Sequence, residues 1–465
     1  MEDRQKIMKK SRKKLVKKAA ACLLSAIMLL SFAACASFQN NPEPVSSEDT
    51  TTSVQSLPSE VSSEYPSSDE ALSSAPSSKV SSIASKIAKA NTSSKKAAAS
   101  SKAASSKPVS SKPVFSSKPA SSKPVSSTPP KQNVVKHDEM KAVWLSFLEI
   151  QAFKGSSESV FTSKIEDIYD NIVAKGLNTV IVQVRPYGDS FYPSEYYPWS
   201  KCISGTTGVG VNYDPLAIMV REAHNRGLSV HAWINPYRTM TDAEMAQVDD
   251  SFAIKVWYNS SDRSSYMVKT GDSRWWLQPG NPEVQKLIIN GASEIVQKYD
   301  VDGLHLDDYF YNMAPSAYGD TASEAKANTT ALVRGLYQAV KAANPKVQFG
   351  VSPSGAFRSN QSLPSSDIGN LSTNLALWCS KPGYLDYVMP QIYWGYSHST
   401  QPFTMTLDKW ESFVTEPSVA LYIGLAPYKL SASEIERQVQ DIGASSRTSG
   451  YCLFRYDHIH ALNLS

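Results

Sequence analysis

The sequence predicts a (β/α)8 barrel over residues 137–465, behind a leader and a long low-complexity linker. Three observations carry that prediction. Eight short apolar runs recur between Ala142 and Tyr456, most gaps between them hold an amphipathic helix pattern, and several runs end in polar or aromatic clusters. Strand then helix, repeated eight times, is the sequence form of this barrel, whose chemistry gathers at the C-terminal ends of its strands.

The N-terminal part reads as a separate device. Residues 1–18 hold nine Lys/Arg against Glu2 and Asp3, and residues 19–32 are apolar up to Ala33-Ala34-Cys35. A basic region, a short apolar core and small residues before a break describe an export signal over 1–35; the core is too short to span about 30 Å of hydrocarbon. The small-small-Cys ending resembles a bacterial lipobox, with Phe32 where Leu is usual. It predicts lipidation of Cys35, hence an extracytoplasmic protein with the membrane as a partner; the alternative is ordinary signal cleavage nearby, leaving a soluble secreted protein. Residues 36–136 are Ser, Lys, Ala and Pro with almost no aromatics, and Ser-Ser-Lys-Pro recurs at Lys107, Lys112, Lys118 and Lys123. Such a segment cannot bury enough apolar area to offset its ordering entropy, which predicts a disordered tether. At about 3.1 Å per residue in extended polyproline form it reaches on the order of 300 Å, enough to pass through a wall layer.

The formal charge of +4 hides two opposite parts. Residues 137–465 carry 26 Lys/Arg against 34 Asp/Glu, a net of −8, which argues against nucleic acid as a partner. Beyond Cys22 and Cys35, only Cys202, Cys379 and Cys452 remain, with no CxxC. They indicate neither a structural zinc site nor a disulfide framework, and leave open one bridge or three free thiols.

The first run is 142–146. Before the second, 179–185, residues 157–177 place Phe161, Ile165, Ile168, Ile172 and Val173 on one helical face that stops at Gly176. After the second run, Asp214-Pro215 supplies an N-cap and a proline at the first helical position, opening a helix through Ile218, Val220, Ala223 and His224. The third run, 229–235, is followed by an insertion before Asn281-Pro282 opens a helix through Leu287, Ile288 and Ile295. The fourth, 303–308, leads to a helix over 321–344 on Ala331, Leu332, Leu336, Val340 and Ala343, closed by Pro345. The remaining runs, 347–352, 387–394, 421–426 and 450–455, alternate with shorter helices at 366–381, 405–414 and 431–442. Too few residues follow the eighth run for a full helix, so either one turn or another segment covers that side. The excursions after the second and third runs lie on the catalytic face and predict the walls of a cleft.

The strand ends carry the chemistry. Val301-Asp-Gly-Leu-His-Leu-Asp-Asp-Tyr-Phe-Tyr311 ends its run in two adjacent carboxylates. Alternation sets Gly303, His305 and Asp307 on one face, and Leu304, Leu306 and Asp308 on the other. The leucines belong against the helices, so Asp307 points inward and Asp308 lies at the rim. The third run puts His231, Trp233 and Asn235 on one face. The second puts Gln183 and Arg185 together, with Asp189 in the loop beyond. The sixth ends Gln391-Ile-Tyr393-Trp394 and the eighth Phe454-Arg455-Tyr456-Asp457. Asp, Asn, Gln and Arg match sugar hydroxyls, and the faces of Trp233 and Trp394 match the C–H faces of pyranose rings. Trp257, Trp275, Trp276 and Trp410 read as packing. A lone His or Arg in such a run is ordinarily a satisfied core group; five enriched strand ends together point to a carbohydrate site.

These motifs also follow one family pattern in order. Lys141-Ala-Val-Trp-Leu, Val182-Gln-Val-Arg-Pro, Phe191-Tyr-Pro-Ser194 with Pro198-Trp-Ser200, His231-Ala-Trp-Ile-Asn-Pro-Tyr-Arg238 and Leu277-Gln-Pro-Gly280 precede the double-Asp run. Phe349-Gly-Val-Ser-Pro353, Leu385-Asp-Tyr-Val-Met-Pro-Gln-Ile-Tyr-Trp394 and Leu421-Tyr-Ile-Gly-Leu425 follow it. Over about 140–457 the chain resembles bacterial glycosyl-hydrolase-like family ten. The resemblance implies a (β/α)8 glycosidase, extracytoplasmic, often a lipoprotein, and linked to cell-envelope glycans; it leaves the substrate and the catalytic pair open. Where that pattern often has an acidic residue directly after the Phe-Arg of the eighth run, this chain has Tyr456, with Asp457 one later.

Hydrolysis of an O-glycosyl bond uses one carboxylic acid to protonate the leaving oxygen and a second carboxylate as nucleophile or base. Asp307 takes one role; candidates for the other are, in order, Asp308, Asp189 and Asp457, although neighbours on one strand rarely flank a sugar from opposite sides. Arg185, His231, Trp233, Asn235, His305, Gln391, Tyr393, Trp394 and Arg455 form the expected substrate-binding set. The expected substrate is a cell-wall glycan, peptidoglycan strands first, cleaved by a monomer that uses no cofactor and no metal. Two other readings compete. A metal-dependent polysaccharide deacetylase could draw on His231, His305 and Asp307, but lacks HxH or HxxxH ligand spacing. A wall-glycan-binding lipoprotein on a degenerate barrel would need no second carboxylate. Fold analogy does not choose among them.

Overall fold

A computed structural model describes residues 134–464 apart from 308–309, 359–361 and 369–371. The leader with Cys35, the linker up to its last three residues, and Asp308 lie outside the described residues.

Strands β1 (Met140–Leu145), β2 (Thr179–Arg185) and β3 (Ser229–Ile234) open the barrel. The insertion after β3 carries β4 (Arg238–Thr241), β5 (Met267–Lys269) and β6 (Arg274–Leu277), a separate antiparallel sheet in the order β4-β6-β5. The barrel resumes with β7 (Gly303–Asp307), β8 (Gln348–Ser352), β9 (Tyr387–Val388), β10 (Ala420–Leu421), β11 (Ile423–Leu425) and β12 (Gly450–Leu453). Its order is β10-β9-β8-β7-β3-β2-β1-β12-β11, parallel throughout. Strands β10 and β11 are halves of one segment broken at Tyr422. The first half pairs with β9 and the second with β12, so that segment closes a ring of eight.

The helices begin where their caps predict. Helix α1 (Glu158–Ala174) starts after Ser157, α2 (Pro215–His224) after Asp214 and α3 (Pro282–Lys298) after Asn281. Helix α4 (Ala322–Ala343) opens on a Thr321/Glu324 capping box, and α6 (Ala432–Ala444) follows Ser431; between them lies α5 (Phe403–Phe413).

Two elements differ from expectation. The helix expected over 366–381 is two single turns, Ser365–Ile368 and Leu375–Trp378. Asp367 ties the first turn to the second: its carboxylate accepts from Thr373 Oγ1 and from the backbone N–H groups of Leu375 and Ala376, capping the second turn. The sixth run pairs as a strand only at Tyr387 and Val388, because Pro390 has no N–H to give the ladder. Single bridges from Gln391 to Ser354 and Gly424 carry it on to the mouth. Beyond β12 one 3-10 turn, Tyr456–His458, stands where a helix would be. The tail packs back through buried Ile459 and Leu462, and Lys175 Nζ, just past α1, donates to the carbonyls of His460 and Leu462.

Strand alternation splits the apolar side chains into two layers. Ala142, Trp144, Ile181, Trp233, Tyr387, Met389, Tyr422 and Cys452 fill the barrel interior. Val143, Val180, Val230, Leu304, Leu306 and Val351 face the helices. Cys202, Cys379 and Cys452 are all buried free thiols, which settles the choice the sequence left open.

Candidate active site

Below the mouth, the barrel interior holds a neutral hydrogen-bonded cluster. His231 and His305 are fully buried, and each places Nδ1 against the Tyr387 hydroxyl, at 3.0 and 2.9 Å. Burial pushes the His231 pKa down to about 4 and that of His305 well below the ordinary value. The proton positions then follow. The Trp144 indole can only donate and lies 3.3 Å from His305 Nε2, so that nitrogen carries no proton. His305 Nδ1–H therefore donates to Tyr387, whose hydroxyl donates to His231 Nδ1. Close backbone approach makes room for the cluster. A Cβ on Gly303 would sit 2.4 Å from His231 Nδ1, and one on Gly350 would sit 2.2 Å from the Tyr387 ring.

Above this cluster runs a line of amides whose direction is equally forced. The Phe147 N–H donates to Gln183 Oε1 at 3.0 Å, so Gln183 turns Nε2 toward Asn235 Oδ1, at 2.6 Å. Asn235 then presents Nδ2 to Asp307 Oδ2 at 3.2 Å. From the other side Gln391 Nε2, anchored on the Ser352 carbonyl at 3.0 Å, reaches Asp307 Oδ1 at 3.3 Å. Both oxygens of Asp307 thus receive amide donors, and the plane of the carboxyl is fixed at the C-terminal end of β7. Ser352 also bonds His305 Nε2 at 3.1 Å, which joins the mouth to the floor.

The structure brings Asp307, Asn235 and Gln391 together as expected, with His305 beneath them, but places several expected residues elsewhere. Arg185 does not share the face of Gln183. A register shift between Gln183 and Arg185 turns it outward, where its fully buried guanidinium lies 4.3 Å over the Tyr197 ring, against Gly291 of α3. Asp189 is buried in its own loop, accepting from Tyr187 N at 2.8 Å and from Ser200; burial raises its pKa against those bonds. None of these contacts reaches Asp307. Both ring nitrogens of His305 and Nδ1 of His231 are engaged inside the barrel, which leaves the deacetylase reading no histidine ligand but His231 Nε2. Neither tryptophan is an open plate: Trp233 is 5% exposed in the interior, and Trp394 packs on the outer core beside His398.

An aromatic surface does occur at the mouth, formed by other rings. Tyr393, Phe454 and Tyr428 meet with centroids 5.8 to 6.3 Å apart, and Tyr428 is 43% exposed. Sequence reasoning found Tyr393 and missed the other two. Tyr428 lies in a loop with no periodicity to announce it. Phe454 was legible, two residues after the inward Cys452.

Arg455 and Asp457 stand across the ring from Asp307, since β12 is four strands from β7 in either direction. Arg455 pairs with Asp457 at 2.8 Å and with Glu149, a nearly buried carboxylate after β1 that also accepts from Ser146 N and Oγ. The Asp457 side chain is 49% exposed. Glu149 was not singled out in the sequence; the Ser146-Phe-Leu-Glu149 capping pattern was its available signal.

Comparison with known proteins gives a consistent picture. The model of the family described as Glycosyl hydrolase-like 10 matches residues 139–326 and 312–441. Glycosyl hydrolase YngK of Bacillus subtilis (strain 168) is 32% identical over 327 residues, covering 64% of this chain and 62% of that protein. Glycosyl hydrolase DigH of Escherichia coli (strain K12) is 32% identical over 334 residues, covering 63% of this chain and 75% of that protein. The chain thus spans less than two thirds of YngK and three quarters of DigH.

Proposed function

The chain belongs to the glycosyl hydrolase-like 10 family, and from that premise we propose that its barrel is a glycoside hydrolase acting on a cell-envelope glycan, with peptidoglycan strands as the substrate. One observation carries the reading: the carboxyl of Asp307 is held between the amides of Asn235 and Gln391 at the C-terminal mouth of the barrel. Groups fixed in this way need no reorganisation when charge develops on a sugar beside them.

The second carboxyl comes from the far rim, where Asp457 is open to solvent. Groups on opposite strands can flank a glycosidic oxygen, one protonating it while the other attacks or activates water. Neighbours on one strand rarely do. The aromatic surface of Tyr393, Phe454 and Tyr428 offers a face for a pyranose ring. An anchor at Cys35 belongs to the same proposal, because it places the barrel beyond the membrane, where the polymer is.

The test is to incubate the protein with purified peptidoglycan strands and identify products by mass. Asp307→Asn should reduce turnover by several orders of magnitude and leave the melting temperature near that of the wild type. Near-normal cleavage by the variant removes Asp307 from the chemistry. Binding by the wild type without product would mean a glycan-binding protein instead.

A further inference from the structure

Arg238, Arg274 and Arg455 are described residues around the mouth, and the last two are neutralised. Arg274 donates to Glu244 at 3.2 Å, and Arg455 is held by Glu149 and Asp457. Arg238 has no carboxylate partner among the described residues. Its guanidinium lies 4.6 Å over the Tyr187 ring, donates Nε to the Pro186 carbonyl at 3.0 Å, and reaches Asn235 Oδ1 through Nη2 at 3.4 Å. Asn235 carries Asp307 on its other amide atom, so this cation stands one amide away from the candidate carboxyl.

Ring, carbonyl and amide together hold the guanidinium plane, so little side-chain freedom remains to be lost when a ligand docks. Nη1 makes no hydrogen bond among the described residues, and the side chain is only partly buried. A fixed guanidinium edge with open N–H groups is the geometry that takes a carboxylate. The surroundings sharpen the point. Residues 137–465 carry a net charge of −8, a field that repels anionic polymers in general, so a cation without a carboxylate partner, one amide from Asp307, sets where an acidic group is accepted.

We propose that Arg238 reads a carboxylate on the sugar next to the one held at Asp307, which makes the preferred substrate an acidic glycan. The inference rests on the glycan reading of this cleft and goes beyond it by assigning a specificity residue and a substrate chemistry.

The experiment uses the full chain carrying Asp307→Asn, which keeps the glycan intact, and measures binding by calorimetry. Two carboxylate-bearing oligosaccharides are compared with their carboxyl-reduced counterparts. One carries the carboxylate on ring carbon six; the other carries it on an ether-linked lactyl group. The acidic form of the matching probe should bind at least about tenfold tighter than its reduced form, the size of one charge-assisted hydrogen bond. Adding Arg238→Met should bring that preference below about twofold while affinity for the reduced form stays. Adding Arg238→Lys should restore part of the preference.

Equal affinity for acidic and reduced probes in the Arg238 protein overturns the proposal and leaves the glycan reading standing. So does an equal loss for both forms in Arg238→Met, which would make Arg238 a positioning residue for Asn235. Binding of no glycan in any form overturns the glycan reading itself.

Discussion

Phe147 N–H and the Trp144 indole can each only donate, and these two groups set the direction of Gln183, Asn235 and the buried imidazoles, while the Ser352 carbonyl sets that of Gln391. The histidines beneath the mouth are therefore neutral structural groups with a defined pH signature. His231, with a pKa of about 4 in the folded protein, takes up a proton near 6.5 once unfolded. The unfolded state then binds more protons between those values, and stability falls as pH drops from 6.5 toward 4. His305 adds in the same direction. His224 opposes them: its hydrogen bond to Asp302 at 2.9 Å raises its pKa, so its contribution is present at low pH and lost as pH rises. Denaturant unfolding at pH 7 and pH 5 should show a decline for the wild type and a steeper one for His224→Gln. A decline equal in both proteins would refute the opposing role of His224. At this scale the sequence announced the identities of the polar groups, whereas their partners came from strands far apart in the chain.

Among the elements, the inward face of β7 was legible as a period of two, and it reads Gly303, His305, Asp307 from floor to mouth. The glycine is there for its neighbour. A methyl group at 303 would meet the His231 ring on β3 inside a packed core, so neither strand can shift to make space. Gly303→Ala should lower the unfolding free energy by about 3 kcal/mol, the upper part of the usual overpacking range. A melting temperature within a degree or two of the wild type would mean the His231 ring is free to move. The short β9 teaches a related lesson. Apolar content alone runs on to Trp394, but a ladder needs N–H donors, and Pro390 interrupts it, leaving single bridges at Gln391. The bulge in β2 had no such signal: an extra residue on one strand is visible only against the register of its partner, and Arg185 was misplaced for that reason.

For the whole molecule, location is carried by residues 1–136, nearly all of which lie outside the described residues. The proposal is a mature protein that begins at Cys35 and is held by lipid. Each buried CH2 contributes about 0.8 kcal/mol, so several acyl chains retain a protein that a bare chain would release. Cell fractionation should find the wild type with the membrane and Cys35→Ser in the medium. Equal release of both would make the cysteine incidental.

The sequence by itself determined the barrel, its helix starts and the inward position of Asp307, because strand alternation, helix periodicity and capping are local and act within a few residues. It also pointed to sugar chemistry, through polar and aromatic residues repeated at strand ends. Only the tertiary structure decided which of those groups meet. It turned Arg185 away, closed the histidines around Tyr387, gathered Tyr393 with Phe454 and Tyr428, and set Asp457 across the ring from Asp307. Those outcomes depend on register, on the order in which the ring closes and on which charges find partners, and all three are relations between segments that no single stretch of chain contains.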